Sequence, residues 1–220
     1  TFDNQAAFIF PGLNPFDLNR MYGPSDNDAP QRLVFDYYYT LPFYHFVHHL
    51  RPLTDGWVLT GITTFQHGFP VSAYDSSFSS LTCNASAEVV DVPCWDVPNR
   101  VGPLNVSNPR SYNVNGNPNY LFSPFAFAPA PLGTIGNSAR NSIYYSGINN
   151  WDIGLYKDIH FTESKYIELR LETYDTFNIP QFNKPITDIN DPRFGRVTSV
   201  QALSTNGNGR VVQLGGKIYF

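Results

Sequence analysis

Residues 150–177 read NWDIGLYKDIHFTESKYIELRLETYDTF, two runs of alternating character joined by the four residues TESK. In the first run Trp151, Ile153, Leu155, Lys157, Ile159 and Phe161 occupy one register. Asn150, Asp152, Gly154, Tyr156, Asp158 and His160 occupy the other. In the second, Ile167, Leu169 and Leu171 alternate with Glu168, Arg170 and Glu172. A period of two places successive side chains on opposite faces of a strand, so the stretch predicts an antiparallel hairpin with one apolar and one charged face.

The same alternation recurs elsewhere. RLVFDYYYTLPF sets Leu33, Phe35, Tyr37, Tyr39, Leu41 and Phe43 against Arg32, Asp36, Tyr38 and Thr40. The run GWVLTGITTFQHGFP sets Trp57, Leu59 and Phe65 against Thr60, Thr64 and Gln66, less regularly. RVVQLGGKIYF sets Val212, Leu214, Ile218 and Phe220 against Gln213, Lys217 and Tyr219. Strands are therefore expected near 32–43, 57–69, 150–161, 166–177 and 210–220. They are long for a soluble sandwich, whose strands average about 5–6 residues, and aromatic residues cluster near their ends. Apolar residues outward, aromatic girdles and a polar interior characterise a transmembrane β-barrel. The fold class read from the pattern is all-β, with antiparallel barrel strands.

Composition agrees. Of 220 residues 16% are aromatic and only 15% charged, while Gly, Pro and Asn are abundant and helix formers scarce. No apolar run approaches the ~18 residues of a membrane-spanning helix. The net charge of −4 leaves no basic footprint for nucleic acid. Connections alternate in length: 1–31, 75–148 and 178–209 are long, 44–56 and 162–165 shorter. Long extracellular loops and short periplasmic turns follow that rule in outer-membrane barrels. The strands would then run alternately inward and outward, with the loops extracellular and residue 220 periplasmic.

These residues also carry a family resemblance. GPSDNDAPQRLVFDYYYTLPF, GWVLTGITTFQHGFPVS and the segment from GNSARNSIYYSG through ETYDTFNIPQFNKP resemble the C-terminal barrel portion of TonB-dependent outer-membrane receptors. The subgroup is Oar-like, with a carboxypeptidase-regulatory-like extension. The resemblance implies about 22 strands around an N-terminal plug, energy relayed through TonB, and uptake of a scarce ligand such as a metal chelate, glycan or peptide. It implies too that the missing plug and strands, or other chains, complete the sheet, and that Tyr219 and Phe220 form the terminal signal read by the barrel-assembly machinery. A structural or adhesive surface protein is the alternative function, and a soluble carbohydrate-binding β-domain a third.

No phosphate loop, HExxH pair or nucleophile elbow occurs, so neither catalysis nor a cofactor is expected. Arg32, Asp36, Asp152, Asp158, Glu168, Arg170 and Glu172 are expected to face the lumen as a mixed-charge ladder pairing across strands. His45, His48 and His49 read as a solvated turn rather than a metal site. Tyr120, Phe122, Phe125 and Phe127 are candidates for ligand or partner contact, or for packing of the loop. Cys83 and Cys94, close in a polar stretch, suit a disulfide, with two free thiols as the rival. Lys157 falls on the lipid-facing register, where a midplane lysine costs about 2–4 kcal/mol.

Overall fold

In lipid every backbone N–H and C=O must find a protein partner, and a sheet meets this demand by pairing strand to strand. The computed structural model, described over residues 19, 22–43, 51–77, 96–162, 164–201 and 209–220, is built this way. Its elements are β1 (Arg32–Thr40), the single helical turn α1 (Arg51–Thr54), β2 (Trp57–Gln66), β3 (Pro70–Val71), β4 (Asn99–Arg100), β5 (Phe127–Ala128), β6 (Ile143–Tyr144), β7 (Ile148–His160), β8 (Tyr166–Tyr174) and β9 (Val211–Tyr219). The chain divides into two compact units: residues 31–66, 148–181 and 201–220 in one, and 1–30, 67–147 and 182–200 in the other.

The first unit is a five-stranded antiparallel sheet in the order β1-β2-β7-β8-β9, with β1 and β9 as edges. Its strands span nine to thirteen residues, bracketing the ~9–11 residues that cross a bilayer when tilted. Three strands end three residues earlier than the sequence pattern suggested, at Thr40, Gln66 and Tyr174. Asp175 adopts positive φ there, and its N–H bonds Asp152 Oδ1 at 3.0 Å, turning the chain out of β8.

Register carries the two faces across the whole sheet. Tyr39, Leu59, Leu155, Leu171 and Leu214 are successive cross-strand partners, so they form one apolar row. Leu33, Phe35, Leu169, Val212 and Ile218 extend this face, and its outer members are open: Leu214 is 79% exposed and Ile218 67%. Aromatic pairs bound the aliphatic rows. Phe65, Trp151 and Phe177 meet edge to face at 5.7 and 5.6 Å at one end. Phe43 meets Trp57 at 6.4 Å at the other, where Tyr166 stacks on Tyr219 at 4.2 Å on the opposite, polar face. Gly61 is required within this face. A Cβ there would lie 2.4 Å from the Tyr37 hydroxyl, so the ring covers a backbone left bare.

Lys157 has a structural account. It pairs with Trp57 at the start of β2, beside the turn, rather than at the centre of the strand rows. Its ammonium donates to the carbonyls of Asp55 and, at 2.8 Å, Asp158, and lies 5.9 Å from the Trp57 ring. The charge is thus held by backbone acceptors and an aromatic face.

The second unit is built mostly from the segments that the sequence reads as long connections. Ala73, Leu121, Phe122, Ala126, Phe127, Ile143, Phe194 and Val197 form a hydrophobic core of its own. Phe122, Phe127 and Phe194 meet edge to face at 5.3–5.8 Å, each ring against the other two. Short pairings β3 with β6 and β4 with β5, and bridges Tyr74–Asp188 and Tyr120–Arg196, satisfy the backbone without long strands. Gly195, at φ +82°, lets Phe122 approach: a Cβ would meet the Phe122 carbonyl at 2.9 Å.

Truncating a buried aromatic ring costs about 3–5 kcal/mol. Phe122→Ala is therefore expected to speed amide hydrogen exchange across residues 119–127 and 194–197 by orders of magnitude. Phe125→Ala, which removes a ring that is 66% exposed, is expected to leave that exchange unchanged.

Candidate functional site

The sequence-selected charges share one face of the sheet. Asp36 and Asp152 both pair with Ile62, Asp158 with Glu168, and Glu172 with Gly154, so all lie opposite the apolar rows, together with Arg32 and Arg170. The expected pattern of pairing across strands is corrected in detail. Arg170 forms its ion pair with Glu168 on its own strand. Its guanidinium also lies 5.3 Å from the Tyr156 ring, and the Tyr156 hydroxyl donates to Glu172 Oε1 at 2.9 Å. Tyr156 is the residue that alternation alone did not single out. It is cross-strand partner to Arg170, and its ring reaches over Gly154, where a Cβ would meet it at 3.3 Å.

Asp158 stands directly opposite Glu168, a like charge, and its buried Oδ1 receives no donor among the described residues. Lys217 completes that row as partner of Glu168, with its ammonium 4.5 Å from the Tyr219 ring. Asp152 spends one oxygen on the turn at Asp175. Asp36, Asp152 and Glu172 border a shallow depression of about 230 Å³ over Gly154. The face as a whole is polar, of mixed sign and studded with tyrosine.

Gln181 was also missed by the sequence reading. Buried in the same unit, its amide accepts from Asn149 N–H at 2.8 Å and donates to Asn149 C=O at 2.7 Å, imitating a strand partner at the start of β7.

The four loop aromatics separate. Tyr120, Phe122 and Phe127 are buried in the second unit, as the packing alternative has them, and of the four only Phe125 is exposed. Phe220 is 97% exposed beyond β9, next to Tyr219 in its stack with Tyr166. Cys83, Cys94, His45, His48 and His49 lie outside the described residues. No group of three or more His, Cys, Asp or Glu placed to hold a metal occurs among the described residues.

The second unit contains a cavity of about 740 Å³ between the segments 26–27, 69–74, 140–145 and 184–191. Phe69, Tyr74 and Tyr145 supply rings, and Asp26, Asp188, Asp191, Arg140 and Lys184 supply charge. Burial raises the Tyr74 phenol above its ordinary value, and the Asp188 and Asp191 carboxylates raise it further. Asp191 itself is held below the usual carboxylate range, first by hydrogen bonds from the Arg193 side chain and backbone.

The residues that make the sheet also decide the family. A model of the outer membrane beta barrel domain matches residues 2–213. The chain belongs to the outer-membrane β-barrel family. Its apolar face is open to the surroundings, as the lipid-facing surface of such a domain would be, and the bacterial outer membrane is its location. No curated protein and no solved structure matches the chain.

A raised phenol favours folding below about pH 10, the ordinary tyrosine value, and loses that contribution as pH climbs through the shifted one. Phenolate absorbance at 295 nm, taken as the difference between the parent protein and Tyr74→Phe, isolates Tyr74. Its midpoint is expected above that of an exposed tyrosine, and Asp188→Asn is expected to lower it by removing one carboxylate.

Proposed function

We propose that the chain is part of a TonB-dependent receptor that takes up a scarce ligand, a metal chelate, glycan or peptide, across the outer membrane. The observation that carries this reading is the polar face of the sheet. Asp158 keeps a buried acceptor without a donor, opposite Glu168, and Asn150 keeps another on the same face, where Arg170 pairs with Glu168 and Tyr156 with Glu172. An unsatisfied buried acceptor costs about 1–3 kcal/mol. A water-filled pore would solvate it, whereas a polypeptide plug can donate to it directly. The family resemblance of the motifs at 23–43, 56–72 and 136–185 implies such a plug, along with further strands that would pair with the open edges of β1 and β9.

In this reading the polar face lines the lumen and the segments of the second unit are extracellular. In chain order its three segments precede β1, lie between β2 and β7, and lie between β8 and β9. Outer-membrane lipid, the plug and TonB are the partners, with no catalytic step. The structural or adhesive alternative draws on Phe125, Leu132 and Val101, exposed apolar residues of the second unit.

The discriminating experiment uses the full-length native protein in detergent and the periplasmic domain of its own organism's TonB. Biolayer interferometry is expected to give saturable binding, abolished when the N-terminal segment preceding the plug is deleted. An absence of binding by the intact protein would overturn the transport reading and leave the structural one.

A further inference from the structure

The cavity of the second unit has a lining that selects among ligand chemistries, and its volume of about 740 Å³ falls within the ~300–1,000 Å³ typical of small-molecule sites. Its carboxylates are already answered by the protein. Asp26 Oδ1 accepts from Asn141 Nδ2 at 2.5 Å and lies 3.7 Å from the guanidinium of Arg140, whose side chain is 3% exposed. Asp188 accepts from Ser76 Oγ at 2.5 Å and from Asn190 N–H at 3.1 Å. Asp191 forms a fork with Arg193, at 3.0 and 2.7 Å.

Charge balances as well. Asp26, Asp188 and Asp191 line the cavity with Arg140 and Lys184, and Arg193, outside the lining, pairs with Asp191, so the site offers no strong net attraction to a polyanion or a bare cation. What remains is a set of spare carboxylate lone pairs, the Asn27 amide and the phenol of Tyr145. Burial raises the Tyr145 phenol, which stays a protonated donor at neutral pH. Three rings add flat apolar surface, Phe69 and Tyr145 being tilted against each other at 6.3 Å. Prearranged acceptors, neutral donors and aromatic faces together fit a ligand that is uncharged, rich in hydroxyls and apolar on its ring faces.

We infer that this cavity binds a neutral oligosaccharide. The inference rests on the receptor reading only for its biological purpose; the binding site is contained in the second unit. The scaffold around the cavity is fixed by the Tyr74–Asp188 bridge and by Asn141, which is 3% exposed, at positive φ, and bonded to Ser72, Pro24 and Asp26. Such a prearranged site keeps the ordering cost of binding low.

Titration calorimetry of the full-length protein in detergent, with xylo-, malto- and chito-oligosaccharides from trisaccharide to hexasaccharide, tests it. At least one series is expected to saturate with Kd below about 1 mM. Loss of a ring face by Tyr145→Ala is expected to weaken it about tenfold. Asn27→Ala at the exposed rim removes one hydrogen bond and is expected to weaken it about threefold. Tyr145→Phe should retain most of the affinity, and Phe125→Ala, outside the cavity, all of it. Hydrogen exchange of each variant confirms that the unit stays folded. The inference is overturned if no series saturates, if oligogalacturonate or a basic peptide binds more tightly, or if the cavity variants bind like the parent. Binding here needs no TonB, so saccharide binding without TonB docking would remove the transport reading and leave the inference standing.

Discussion

The structure depends on one constraint: a chain within lipid must satisfy all of its backbone polar groups internally while its side chains alternate between two unlike surroundings. The β7–β8 hairpin meets both halves of that demand with nine cross-strand-compatible residues on β8 and thirteen on β7. Once Leu155 is set opposite Leu171, every neighbour's face is determined, and Leu59 and Leu214 follow on the flanking strands. A slip of one residue would carry the Leu row to the charged side and Asp158 or Glu168 into lipid. Register is therefore fixed by solvent on both faces, and the membrane acts as part of the folding code.

The second unit obeys different physics. It has no long strand among its described residues, yet Phe122, Phe127 and Phe194 give it a core like that of a soluble domain. Turns at Asn115, Asn119, Asn141 and Gly195 adopt positive φ and fold the chain back on itself, which explains the abundance of Asn, Gly and Pro in this region. Tyr145 packs against this core and, with Tyr74 and Asp188, lines the cavity of the unit.

The sheet was legible in the sequence because its period of two repeats over strands long enough to count. Strand positions and faces could be read at Leu155 or Glu168 without any knowledge of neighbours. The second unit was not legible for the opposite reason: its contacts are long-range and aperiodic. Phe122 and Phe125 look alike in the string LFSPFAFAPAP, yet one is fully buried and the other open, and Phe122 packs on Phe194 more than sixty residues away. Lys157 was half legible. Its register was evident, but its tether to the Asp55 carbonyl depends on where the turn after α1 folds back. The own-strand pairing of Arg170 with Glu168, and the role of Tyr156, likewise depend on side-chain reach rather than on alternation.

The central claim is that the two faces of the five-stranded sheet meet different media, lipid on the Leu155–Leu214 side and the polar interior on the Glu172–Gln213 side. Single cysteines at Leu155, Leu214, Glu172 and Gln213, in a protein carrying Cys83→Ser and Cys94→Ser, can be labelled with bimane and reconstituted into vesicles. The account predicts that bromine-substituted lipid chains quench the labels at 155 and 214 but not those at 172 and 213. Equal quenching at all four positions, or the reverse pattern, would contradict it.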